Sequence, residues 1–167
     1  MYSEPGQGTT FKVYLPQALT TEAAAALPLG QDRPMAGTET IMLVDDADQL
    51  RPVVSRSLAQ HGYTVLEARH GSEALEISRT HTGPIHVLVT DLVMPGVSGT
   101  ALADQLAAER PDMRVIFMSG YAASTIAAGG KLREGSAFLP KPFSPDLLAR
   151  EVRAMLDGTV SDPERSS

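Results

Sequence analysis

Residues 85–99 read IHVLVTDLVMPGVSG, an apolar run that stops abruptly on an acid. Ile85–Thr90 has the length of a strand, and its continuous apolar character calls for cover on both faces, as in a parallel sheet. Asp91 follows at once. Ser98 then has the place and chemistry of a helix N-cap, with Leu102 and Leu106 inward on the helix it opens.

Outward from this segment, the same alternation of apolar run and amphipathic stretch recurs five times from Glu39 onward. Thr40–Val44 is a nearly all-apolar strand, followed by a helix carrying Leu50, Val53, Val54 and Leu58 on its apolar side. Pro52 is awkward there, so either the helix starts late or its first turn is distorted. Tyr63–Glu67 makes a second strand, with Ser72 as cap of a helix to about Arg79. Beyond the central segment, Arg114–Met118 is a fourth strand, and a weak helix around Ser124–Ala128 stops at Gly129-Gly130. Ala137–Leu139 is a short fifth strand. Ser144 and Pro145 read as N-cap and first residue of the last helix. That helix buries Leu148, Val152 and Met155 and turns Arg150, Glu151 and Arg153 outward. The result is an α/β fold, a doubly wound parallel sheet of five strands with helices on both faces.

Ahead of Glu39 the texture changes. Residues 1–16 read as a turn and then an alternating strand, Thr10–Leu15. Residues 17–38, rich in Ala, Pro and Gly, read as a linker with one helical turn near Glu22–Ala26. Residues 39–157 form the one full domain, followed by a tail, 158–167. A chain of 167 residues has room for one core of ordinary size and no second full domain. Its net charge of −6 and scattered cations argue against nucleic acid as a direct partner. The longest apolar runs are too short to span a bilayer, and the N-terminus has neither basic start nor apolar stretch. With no cysteine there are no disulfides or thiolate metal sites. A cytoplasmic location is the expectation.

Parallel connections of one hand bring all strand C-terminal ends to one rim, where ligands bind in open sheets of this kind. The residues just past those ends are Asp45 and Asp46, Asp91, Ser119, and Lys141 with Pro142. Taken singly, each has a plain explanation as a cap, turn or loop residue; their joint placement is the specific signal. Three carboxylates gathered there repel by about 4 kcal/mol per pair at ~4 Å and an effective dielectric of ~20. A hard divalent cation relieves that repulsion, and Mg2+ suits few carboxylates plus waters and a phosphate. Lys141 can meet a phosphoryl oxygen and Ser119 can donate a hydroxyl, so the set has the chemistry of a phosphoryl acceptor.

The segments IMLVDDADQLR, VLVTDLVMPGVSG, VIFMSGYA and FLPKPFS resemble, in order and spacing, the receiver domain of two-component response regulators. The resemblance implies the flavodoxin-like strand order 2-1-3-4-5. It also implies Asp91 as the phosphorylation site, Asp46 as direct Mg2+ ligand, Asp45 as the neighbouring acid, and Val93 as a backbone-carbonyl ligand. Ser119 matches the switch hydroxyl, Lys141 the lysine that grips the phosphoryl group, and the Lys141-Pro142 bond is usually cis in such domains. Phe138 matches the aromatic rotamer switch, or is a plain core aromatic. The implied partner is a histidine kinase or a histidine phosphotransfer domain. Conformational change and homodimer formation would use the face built by the fourth helix, fifth strand and fifth helix. Separately, SEPGQGTTFKVYLP is similar to the end of a histidine-kinase ATP-binding domain, too small a remnant to bind ATP. The chain thus resembles a C-terminal piece of a hybrid histidine kinase. His61, His70, His81 and His86 lack the His-Glu context of a kinase phosphorylation helix. Ten residues follow Asp157, so output is expected through protein contact.

Two rivals belong to other classes. A Mg2+-dependent aspartate phosphohydrolase would carry a second acid two residues after its nucleophile, where this chain has Val93. A receiver-like interaction module working without phosphorylation would have no need of the complete set Asp45, Asp46, Asp91, Ser119 and Lys141.

Overall fold

The computed structural model describes residues 2–4, 8–10, 35–120 and 135–158. Within it, Met1–Pro34 and Met35–Ser167 are separate units. In the first, β1 (Tyr2–Glu4) pairs antiparallel with β2 (Gly8–Thr10), Ser3 lying opposite Thr9. Two paired strands thus stand in the region where the sequence reading placed a turn ahead of a strand. Most of the expected strand Thr10–Leu15 and the whole expected linker helix lie outside the described residues.

The second unit carries the five expected strands: β3 (Thr40–Val44), β4 (Thr64–Ala68), β5 (Val87–Asp91), β6 (Arg114–Ser119) and β7 (Ala137–Pro140). All are parallel, in the order β4-β3-β5-β6-β7, which is 2-1-3-4-5 counted from β3. Edges differ from the sequence reading by a residue or two. Side chains alternate across the pleat. Ile41, Leu43, Val87 and Val89 therefore pack on one face with Val54, Leu58, Leu148 and Val152. Met42, Val44, Leu88 and Phe117 pack on the other with Ala74, Leu102 and Leu106. Helices α1 (Leu50–Gln60) and α4 (Pro145–Asp157) cover the first face; α2 (Gly71–Thr80) and α3 (Gly99–Glu109) cover the second. The weak helix expected at Ser124–Ala128 lies outside the described residues.

Helix ends follow local chemistry. Ser98 and Ser144 cap α3 and α4 as expected, accepting from the Ala101 and Leu147 N–H groups, and Pro145 opens α4. Gly158 closes α4 at φ 72°, a left-handed conformation that glycine adopts without steric penalty. The cap of α2 is not Ser72 but His70, whose ring accepts from Glu73 N–H, while the Glu73 carboxylate accepts from Arg69 N–H. This is a reciprocal cap with imidazole nitrogen in place of a hydroxyl. Pro52 neither delays nor breaks α1. It sits third in the helix, among the first-turn positions that lack an intrahelical acceptor.

The inward face of α1 differs from expectation. Its buried residues are Arg51, Val54, Ser55 and Leu58, a stripe of spacing i, i+3, i+4, i+7. Val53 lies outside it and is 54% exposed. On α4, Leu148, Val152 and Met155 are buried as expected, but Arg153 is not simply outward. It pairs with Glu39 at 3.0 Å and Asp157 at 2.9 Å.

Candidate functional site

Strand register assembles the site. Val44 stands opposite Thr90, so Asp45 comes level with Asp91; Asp91 faces Met118, and Ser119 faces Pro140, which puts Lys141 one step beyond. Four of the expected residues are thereby gathered: Asp45, Asp46, Asp91 and Lys141. The Lys141 Nζ donates to Asp45 Oδ2 at 2.8 Å and to Asp91 Oδ2 at 2.6 Å. Lys141 is itself fixed through its N–H, which donates to the Ser119 carbonyl at 2.7 Å, and its bond to Pro142 is cis.

The other carboxylate oxygens are held by backbone. Asp45, only 1% exposed, accepts the Ala47 N–H on Oδ1 at 2.8 Å, and Asp91 accepts the Val93 N–H on Oδ1 at 3.1 Å. Gly99 makes this loop possible, because a Cβ there would fall on the Asp91 carbonyl oxygen. Asp46 is exposed, and an open cleft of about 470 Å³ begins at it, lined also by Asp48, Arg69, His70 and Gly96. Ser119 is buried at the end of β6. The Val93 side chain is exposed, and Phe138 on β7 is partly buried against the core on the α2/α3 side. Of the expected pairing face, residues 121–134 lie outside the description.

Burial works against the Lys141 ammonium, but its hydrogen bonds to Asp45 and Asp91 and their negative charge outweigh that cost and raise its pKa. One oxygen from each of Asp45, Asp46 and Asp91 lies within 4.8 Å of the others. Three hard oxygen donors converging beside a cleft fit a small divalent cation, with room for waters. A carboxylate nucleophile flanked by a cation site and an ammonium can accept a phosphoryl group.

Sequence reasoning missed Arg51. It is 7% exposed, and its Nη1 donates to the Asp45 carbonyl at 2.7 Å. The signal lay in its spacing to Val54, Ser55 and Leu58, which puts an arginine on the buried stripe.

Comparison with known proteins agrees with the geometry. The sequence profile described as "Response regulator receiver domain" matches residues 41–153. Sensor kinase CckA of Brucella abortus is 39% identical over 162 residues, a match covering 93% of this chain and 17% of that protein. The chain therefore spans well under a fifth of that relative's length. Response regulator receiver protein CpdR of Brucella abortus is 31% identical, with 70% of this chain and 95% of that protein covered. Among solved structures, the receiver domain of hybrid histidine kinase CckA is 37% identical at a TM-score of 0.61, covering 70% of this chain and 98% of that one. A BeF3-activated DrrB receiver domain is 26% identical at a TM-score of 0.62, covering 72% and 99%. Among the described residues, no helix is long and apolar enough to cross a membrane.

Proposed function

The chain belongs to the response regulator receiver family, and from that premise we propose that it takes a phosphoryl group onto Asp91 from a phosphohistidine. The observation that carries this reading is one ammonium, Lys141, bonded at once to Asp45 and Asp91, two of three convergent carboxylates. An Asp91 carboxylate oxygen forms the new bond to phosphorus as the phosphorus–nitrogen bond breaks, and the electron pair returns to the donor imidazole. Lys141 swings from neutralising the Asp91 carboxylate to neutralising the oxygens of the acyl phosphate. Asp45, held by the Ala47 N–H, keeps its place through the exchange, and Ser119 offers its hydroxyl to the new group. Asp45, Asp46, Asp91 and the Val93 carbonyl would hold Mg2+, which when bound supplies charge neutralisation for the transferring group.

The donor is a histidine kinase or a phosphotransfer domain, and the new charge shifts the population of two surface arrangements read by a partner. A match covering 93% of the chain takes in most of the 34 residues before the receiver. That supports reading residues 1–16 as the end of a kinase ATP-binding domain, and the chain as part of a hybrid histidine kinase.

Mass spectrometry after incubation with Mg2+ and acetyl phosphate tests the assignment. One added phosphoryl group on Asp91 is expected, and Asp91→Asn should take none while keeping its fold. Labelling of Asp91→Asn at full yield would overturn it.

A further inference from the structure

Burying a guanidinium is costly unless every edge finds an acceptor, and an apolar residue would fill the same space at less cost. Arg51 is nevertheless buried on α1. Its partners tell what it does there. Nη1 donates to the Asp45 main-chain carbonyl at 2.7 Å, and Nη2 donates to Asp48 Oδ1 at 2.7 Å. Nε lies 3.7 Å from Glu67 Oε2, and the other Glu67 oxygen accepts from Ser55 Oγ at 2.7 Å. One planar fork thus ties the loop after β3 to the end of β4, with a geometry that an ammonium lacks.

Asp45 is the pivot of this arrangement. Its side chain is held by the Ala47 N–H and Lys141; on its main chain, the N–H donates to the Ala68 carbonyl at 3.2 Å and the carbonyl is held by Arg51. We propose that Arg51 is a positioning residue for the acidic pair: its grip on the Asp45 backbone sets where the carboxylates of Asp45 and Asp46 stand, and so sets affinity for the divalent cation. The inference rests on reading the acidic rim as a Mg2+-assisted phosphoryl acceptor.

Electrostatics alone gives the opposite sign, which makes the proposal testable. Removing a nearby positive charge should tighten binding of a cation. Loss of positioning should weaken it. Mg2+ titration calorimetry on the full chain, at a temperature below the melting point of every variant, separates the two. Arg51→Met removes charge and fork; Arg51→Lys keeps charge and loses only the fork. Both should bind Mg2+ about tenfold more weakly, as when residues supporting metal ligands are lost. Labelling of Asp91 by acetyl phosphate should slow alongside. If Arg51→Met does not fold, the result with Arg51→Lys decides. A lowered melting temperature with unchanged or tighter Mg2+ affinity would overturn the proposal and leave Arg51 a packing residue. Absence of Mg2+ binding in the unsubstituted chain would overturn the rim reading, and this inference with it.

Discussion

At the scale of single residues, Lys141 joins two carboxylates of the candidate site. It is the ammonium shared by Asp45 and Asp91, and both acids sit largely out of water. Because its pKa is raised above the ordinary 10.5, its contribution to stability is full below that value and is lost as pH rises through the higher folded value. It therefore stays charged across the neutral range. Lys141→Met would leave two adjacent carboxylates without their common partner. A loss of about 3 kcal/mol is expected in urea unfolding at neutral pH with a chelator present. On the reading of the acids as a Mg2+ site, added Mg2+ should restore part of that loss. No loss in chelator would mean that water already compensates the pair.

At the scale of elements, α1 shows why a stripe read from apolar residues alone can include one outward residue and miss buried polar ones. Leu50, Val53, Val54 and Leu58 form a plausible stripe when only apolar residues are counted. Val54 and Leu58 do enter the core and Leu50 packs partly buried against it, but Val53 faces out, and the buried stripe is completed by Arg51 and Ser55, so that half of it is polar. Apolar periodicity cannot register a buried arginine or serine whose hydrogen bonds make burial affordable. The difference can be measured. Val54→Ala should cost about 2 kcal/mol, by lost transfer energy and the cavity left behind, whereas Val53→Ala should stay within about 0.5 kcal/mol of the parent. Comparable losses at both sites would refute the phase seen here. Similarly, α2 hid its cap because histidine is a rare capping residue, while Ser98 and Ser144 were plain in the sequence.

For the receiver unit as a whole, the fold was legible because four of the five strands are short, largely apolar runs that end at or just before a residue of the candidate site; β4, with its more exposed TVLEA, is the exception. Asp45, Asp91, Ser119 and Lys141 each stand at or just beyond a strand end, so a parallel register was enough to assemble them. What stayed hidden were contacts set by side-chain reach and not by period, such as Arg51 to Asp45, and the pair formed by Glu39 and Arg153. That pair ties the residue leading into β3 to α4. Burial opposes the Glu39 carboxylate, but a hydrogen bond from its own N–H and those from Arg153 and Thr38 prevail and lower its pKa below the ordinary 4.5. Its stabilising effect is therefore present above 4.5 and disappears as pH falls through the lower folded value. Glu39→Gln should reduce stability near neutral pH by up to about 1 kcal/mol, less at high salt, since the pair is only partly shielded from water. Unfolding of parent and variant, followed from neutral to about pH 3, should show two curves that converge in acid. A gap that persists unchanged to the acid limit would mean that the side chain acts by packing and hydrogen bonding alone, and that its charge does not hold the entrance of the domain to α4.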